Sequence, residues 1–225
     1  MTLKEYTDKS WYDYAYENIE SISKEKKDFT VFDIGAGNSI LREKVEGLSG
    51  TWRGFDYEPR HSDVQQLNMD QPLSENETAF KGARPDIIVF LEVLEHLFNP
   101  GIAIENIGKM AKSGTYLIFS TPNPFWSPIR LKFFVQGIFP MFRKSDMLDN
   151  HHVYTAWPHV TERLLEINGF EVKKSCTLGF KANFPGFQFH PIYFARIIVF
   201  FIRKILETGL SKSKGMSYAI VAQKK

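Results

Sequence analysis

Apolar residues follow two spacings along this chain, and the two alternate. From Ser10 to Lys24, Trp11, Tyr14, Ala15, Ile19 and Ile22 recur at helical spacing with Asp13, Glu17 and Glu20 between them, which predicts an amphipathic helix covering one edge of a core. Short unbroken runs follow: Val31-Phe-Asp-Ile34, Thr51–Asp56, Ile87–Leu91 and Gly114–Ser120. Their length and β-branched content predict strands, and the fully apolar Ile87–Leu91 suits a parallel strand buried on both faces. Asp63–Asn68 reads as a short strand between the second and third of these. Asn99-Pro100 starts a helix whose apolar side is Ile102, Ile104, Ile107 and Met110. Thr121-Pro-Asn-Pro124 forbids continuation of the strand before it. Pro158–Gly169 reads as a helix closed by glycine, and Phe170–Ser175 and Ser217–Ala222 as the last two strands. Strands alternating with helices predict an α/β fold, and residues 1–225 are expected to form one domain.

Candidate chemistry gathers at the ends of these strands. Val31-Phe-Asp33-Ile-Gly35-Ala-Gly37-Asn-Ser39 runs from a strand into a tight turn. Gly35 can take positive φ, and Gly37 removes a Cβ where a ligand could lie against bare backbone. Asn38 or Ser39 is expected to cap a helix over Ile40–Val45. Asp56 ends the second strand, 21 positions beyond Gly35, where a carboxylate can accept from both hydroxyls of a ribose. Tyr57 beside it could lie against an adenine face. A dinucleotide would want a third glycine at position 40, which is Ile40. The turn therefore suits a nucleoside without a pyrophosphate. Glu92 stands beyond the carboxyl end of Ile87–Leu91, placed for a cationic ligand at the switch point of an open sheet.

With these residues in view the chain resembles the class I (Rossmann-like) S-adenosylmethionine-dependent methyltransferases of small-molecule type. Pro85–Leu97 looks like that superfamily's fourth-strand motif. The resemblance implies a doubly wound seven-stranded sheet, its last strand antiparallel, with helices on both faces. It implies S-adenosylmethionine as cofactor, held by Asp33, Gly35, Gly37, Asp56, Tyr57, Asp70 and Glu92, with Asp70 meeting the adenine amine. Two other classes compete: a nicotinamide-dependent oxidoreductase, disfavoured by Ile40, and a domain that binds a nucleoside without catalysis.

Two stretches fall outside the common core, about 123–150 and 180–212. Both are aromatic, apolar and partly basic. Arg196 interrupts the second, leaving nothing near the roughly 20 residues a spanning helix needs. Arg196 and Arg203 share one helical face, so the apolar side is expected against the domain, a second subunit or a lipid surface. In the resembling family such segments border the acceptor pocket, which implies a small or lipid-linked acceptor. Oxygen is the expected acceptor atom, with nitrogen and carbon as alternatives. His151 and His152 are the candidate bases, since a hydroxyl attacks better when its proton is taken. His61, His96, His159 and His190 are scattered without a metal-ligand spacing, so no metal is expected, and His96 reads as structural.

Composition adds little. A formal charge of +2 with dispersed basic residues gives no sign of a nucleic-acid partner. The single Cys176 and the polar start Met1-Thr-Leu-Lys-Glu-Tyr fit the cytoplasmic side, with peripheral contact at the inner membrane face left open.

Overall fold

The apolar runs assemble side by side. A computed structural model describes residues 3, 5–73, 83–139, 143–179, 192–208 and 211–225. His190, and parts of both insertions at 140–142, 180–191 and 209–210, lie outside the described residues. The strands are β1 (Glu5–Thr7), β2 (Thr30–Ile34), β3 (Thr51–Asp56), β4 (Val64–Gln66), β5 (Ile87–Leu91), β6 (Tyr116–Pro122), β7 (Phe170–Leu178) and β8 (Ser217–Lys224). Their spatial order is β1-β7-β8-β6-β5-β2-β3-β4. β8 runs antiparallel to both β6 and β7, and every other neighbouring pair is parallel. The strand order therefore reverses between β2 and β5, and that crevice opens at their carboxyl ends.

Successive side chains of a strand point to opposite faces, and here each face has its own helices. Phe32, Phe90, Phe119 and Tyr218 pack with Ile104 and Ile107 of α3 (Pro100–Met110) and Leu165 of α6 (Pro158–Ile167). Val31, Val89 and Ile118 pack instead with Ala15 and Ile19 of α1 (Trp11–Ser23) and Val45 of α2 (Arg42–Gly47). β5 is buried on both faces, as its unbroken apolar run requires. Three further helices, α4 (Ser127–Gln136), α5 (Lys144–Asp149) and α7 (Ile192–Glu207), come from the two insertions.

The expected sheet of seven strands has eight among the described residues. The extra one, β1, adds a parallel edge beside β7, with Glu5 opposite Cys176 and the Tyr6 hydroxyl donating to the Gly179 carbonyl at 2.7 Å. Three residues are too few to show a period of two. The helix after the glycine turn begins at Arg42, not Ile40, and its N-cap Leu41 makes no side-chain cap. Gly37 and Ser39 both have left-handed backbones, at φ 51° and 55°, so the chain needs another turn before it becomes helical. Ser39 Oγ, expected to cap, is buried without a hydrogen-bond partner. β6 also runs on through Pro122, opposite Ser217, because a proline at the end of a strand forfeits little pairing.

Trp52 in β3 links the fold to the crevice. Its indole Nε1 donates to Asp33 Oδ2 at 3.1 Å, and its six-membered ring lies over Gly54 of the same strand, where a Cβ would collide with it. Gly54→Ala should therefore displace the indole and destabilise the fold by about 1–3 kcal/mol, the usual cost of overpacking. Urea unfolding of the two proteins would measure this, and coincident curves would show that the ring has room to move.

Candidate active site

The glycine turn is fixed by backbone hydrogen bonds. Gly35 and Ala36 N–H both donate to the Phe55 carbonyl, at 2.8 and 3.0 Å, which folds the end of β2 over the end of β3. Gly35 has φ 77°, and a Cβ there would run into Val93. Only glycine meets both conditions. Gly37 N–H then donates to Asp56 Oδ2 at 2.9 Å, and Asp56 Oδ1 accepts from Glu58 N–H at 3.1 Å. The carboxylate expected to meet a ribose thus also shapes the turn. It can do both, because two oxygens offer about four acceptor sites. Tyr57 next to it is 61% exposed.

Asp70 lies farther along the same edge, after β4. Its Oδ1 accepts from Asn99 N–H at 2.7 Å, and its carbonyl accepts from Asn99 Nδ2 at 3.3 Å, so Asp70 ties this loop to the start of α3. Glu92 follows the end of β5 with φ 53°, a conformation that non-glycine residues rarely adopt outside functional sites. Ser120 Oγ donates to its Oε1 at 2.8 Å and Ser217 Oγ to its Oε2 at 3.1 Å. β5, β6 and β8 therefore converge on one carboxylate.

Glu95 and His96 sit on a single 3-10 turn, Leu94–His96, and Glu95 is buried. Thr121 Oγ1 donates to Glu95 Oε2 at 2.9 Å. The Glu95 carbonyl accepts from Val153 and Tyr154 N–H at 2.8 and 3.0 Å, which draws the loop 150–154 across the site. That loop sets the His152 ring edge-on against His96, with centroids 4.9 Å apart. His151 has a left-handed backbone and is exposed. The structure thus brings together one of the two candidate histidines, His152, with Glu95 and His96, which the sequence reading left outside the site. A Glu-x-x-Glu-His spacing directly after a buried strand is the signal that could have found them.

The electrostatics run in one direction. Burial raises the carboxyls of Glu92 and Glu95 above the usual range, and the charge of Glu92 raises Glu95 further. Burial also pushes Asp33 up to about 6, against the Trp52 hydrogen bond and with help from the Asp56 charge. Tyr12 of α1 is raised by burial first and then by Asp33, and it feels Glu92 as well. This helix borders the cleft in addition to covering the core. Buried carboxyls held by neutral donors stay costly until a cation arrives. Glu95, His96 and His152 also offer three ligand atoms within 4.8 Å of one another. Burial, and then His152, hold His96 below its usual range. The set is then a carboxylate and two imidazoles, donors that suit a divalent transition metal.

Sheet order, glycine turn and acidic strand ends together define a class I S-adenosylmethionine-dependent methyltransferase fold. Comparison with known proteins gives the family: its methyltransferase-domain model matches residues 9–174, and this chain belongs to that family. A ubiquinone biosynthesis O-methyltransferase of Coxiella burnetii is 35% identical over 101 residues, covering 41% of this chain and 43% of that protein. The enzyme of the same name from Paraburkholderia phytofirmans is 30% identical over 103 residues, covering 42% and 44%. The chain thus matches under half the length of these curated relatives. Two solved structures share the fold. A SAM-dependent methyltransferase from Archaeoglobus fulgidus has a TM-score of 0.59 at 16% identity, covering 95% of this chain and 94% of that one. One from Mesorhizobium loti has 0.57 at 15%, covering 95% and 100%.

Asp33 gives the site a pH signature. Its carboxyl binds a proton near pH 6 when folded and near the ordinary 3.8 when unfolded, so between these values the folded state holds more protons. The stabilising contribution is complete below about pH 4 and is lost as pH rises through about 6. Asp33→Asn, which carries no charge at any pH, should gain on the wild type by up to about 3 kcal/mol between pH 4 and pH 7 in the absence of ligand. Parallel stability profiles of the two proteins would show that Asp33 is ionised when folded.

Proposed function

We propose that this chain transfers the methyl group of S-adenosylmethionine to an oxygen of a small acceptor with an apolar, lipid-linked part. The observation that carries this reading is the crevice between β2 and β5, where the carboxyls of Asp33 and Glu92 stand at the strand ends and the buried Glu95 meets the His96–His152 pair. Gly35 and Gly37 give the nucleoside a bare backbone, Asp56 takes the ribose hydroxyls, Tyr57 covers the adenine and Asp70 takes its amine. Glu92 and Asp33 meet the cationic end. The same-named O-methyltransferases, aligned over 41% and 42% of the chain, support oxygen over nitrogen or carbon as the acceptor atom.

When bound, S-adenosylmethionine would supply an electrophilic methyl group on a sulfonium, the thioether sulfur being the leaving group that keeps the electron pair. His152 takes the acceptor's hydroxyl proton as the oxygen–carbon bond forms, and His96 and the loop held on the Glu95 carbonyl keep its ring in place. Alignment supplies much of the remaining acceleration. His151, exposed one residue away, is the alternative base. His152→Ala should lower transfer of labelled methyl into lipid extracts by about 10²–10⁴ while leaving cofactor affinity by calorimetry nearly unchanged. Label found only in protein would sink the small-molecule reading. Full activity in His151→Ala, His152→Ala and the double variant would dismiss both bases.

A second reading rests on the ligand atoms of Glu95, His96 and His152, which converge within 4.8 Å. In it these side chains hold a divalent cation that polarises the acceptor oxygen, and His152 is a ligand rather than a base. Manganese or zinc should then raise the melting temperature of the wild type and leave that of Glu95→Gln unchanged. Equal responses in both proteins would leave His152 as the base.

A further inference from the structure

The helix α7 leaves a wide apolar side in water. Phe194, Ile198, Phe201 and Ile205 follow one another at intervals of four, three and four residues, the spacing of a single helical stripe. That stripe belongs inside a core. Here it faces out, each of the four side chains being more than half exposed, with Phe194 at 72% and Ile205 at 73%. Its inner side is mixed: Tyr193, Ile197, Phe200 and Leu206 are half-buried beside two polar groups. Glu207 is buried and accepts from Ser127 Oγ of α4 at 2.6 Å, Arg203 Nε donates to the same hydroxyl at 3.2 Å, and the Arg203 guanidinium lies over Trp126. This node locks the inner side of α7 onto the start of α4. α4 continues the pattern, with Phe134 87% and Val135 70% exposed. The four α7 side chains alone leave roughly 500 Å² of apolar surface in water, comparable to the largest patch on an ordinary monomer.

Charge decides what covers this surface. α4 carries Arg130 and Lys132 and no acid, while α7 carries Arg196, Arg203, Lys204 and the single acid Glu207. The carboxylate of Glu207 is already engaged by Ser127, Arg203 and Lys204, so the positive charge in excess is carried by Arg130, Lys132 and Arg196. A second copy docked on a two-fold axis would set this cationic, apolar patch against itself, with like charges at its rim. An anionic bilayer surface offers the apolar bed and the counter-charge together. The helix would lie in the surface plane, since among the described residues no helix is long and apolar enough to cross a membrane.

We infer that α7, with α4 beside it, is a docking face for anionic lipid. Both helices adjoin the end of the sheet where β6 and β8 reach Glu92, so an acceptor resident in the bilayer would enter from the docked side. That orientation rests on the methyl-transfer reading, whereas docking does not and is measured without cofactor or acceptor. The test is sedimentation of the full chain with vesicles of phosphatidylcholine, either pure or mixed with phosphatidylglycerol, at low and high salt. The wild type should pellet with the mixed vesicles at low salt and lose about ten-fold or more of its binding at high salt or on pure phosphatidylcholine. Phe194→Ser combined with Ile198→Ser and Ile205→Ser should lose binding by a similar factor with an unchanged melting temperature, because all three side chains already face water. Wild type left in the supernatant at low salt, equal binding to both vesicle types, or a wild-type dimer that the triple variant converts to monomer without vesicle binding would each overturn the inference.

Discussion

Everything at the carboxyl ends of the strands depends on three carboxyls drawn out of bulk water and, among the described residues, hydrogen-bonded by neutral side chains. Asp33 is held by the Trp52 indole, Glu92 by two serine hydroxyls and Glu95 by a threonine hydroxyl. Each donor is neutral, so each bond repays only part of the desolvation that the carboxyl suffers. The fold tolerates the deficit because the surrounding sheet is over-determined. β2, β5, β6 and β8 place these residues from four strands whose pairing is continuous. Even the left-handed backbone at Glu92 is pinned by its N–H donating to the Ser120 carbonyl at 2.9 Å. Strain and desolvated acidity in one crevice, carried by a rigid sheet, mark a place prepared for a cationic ligand.

Local chemistry was the legible part. A strand, two glycines and an acid at the next strand's tip lie within 26 residues, Val31–Asp56, and the reasons for each are steric or electrostatic and act over short range. The sheet places all of the candidate cofactor residues along one edge. What could not be read was tertiary. Glu95 and His152 are far apart in the chain and meet only because the Glu95 carbonyl binds the backbone of residues 153 and 154, a contact with no signature in composition or period. Ser39 shows the opposite failure. Its residue type favours a cap, but the two left-handed residues at 37 and 39 carry the chain past the capping position before the helix begins.

The helix α7 was half legible for a related reason. Periodicity shows that a helix has an apolar side and says nothing about which side the protein keeps. Arg196 and Arg203, seven apart, read as one polar face. The structure separates them in role, because Arg203 alone meets Ser127 and Glu207, while Arg196 is exposed. A buried hydroxyl–carboxylate–guanidinium node is worth more than the exposed pairs common at surfaces. That node, together with the half-buried Ile197, Phe200 and Leu206, holds the inner side of the helix against the protein.

The same electrostatics give the proposed reaction a direction. S-adenosylmethionine would bring a sulfonium, an ammonium and a carboxylate, and loss of its methyl would leave a neutral thioether with the ammonium and carboxylate unchanged. A crevice edged by Asp33 and Glu92 would attract the first charge state more strongly than the second, because attraction in a poorly solvated site scales with the ligand's charge. Methyl transfer would therefore weaken the hold on the spent donor. The hydroxyl proton would move the other way, towards His152 beside a His96 ring that burial holds below its usual range. Positive charge would thus leave the carboxyl side as it appeared on the histidine side, where Glu95, with ligand atoms of His96 and His152 within 4.8 Å, would steady the imidazolium. On this reading the carboxyls divide the step: Asp33 and Glu92 draw in the cationic donor, and Glu95 stabilises the proton that the acceptor gives up.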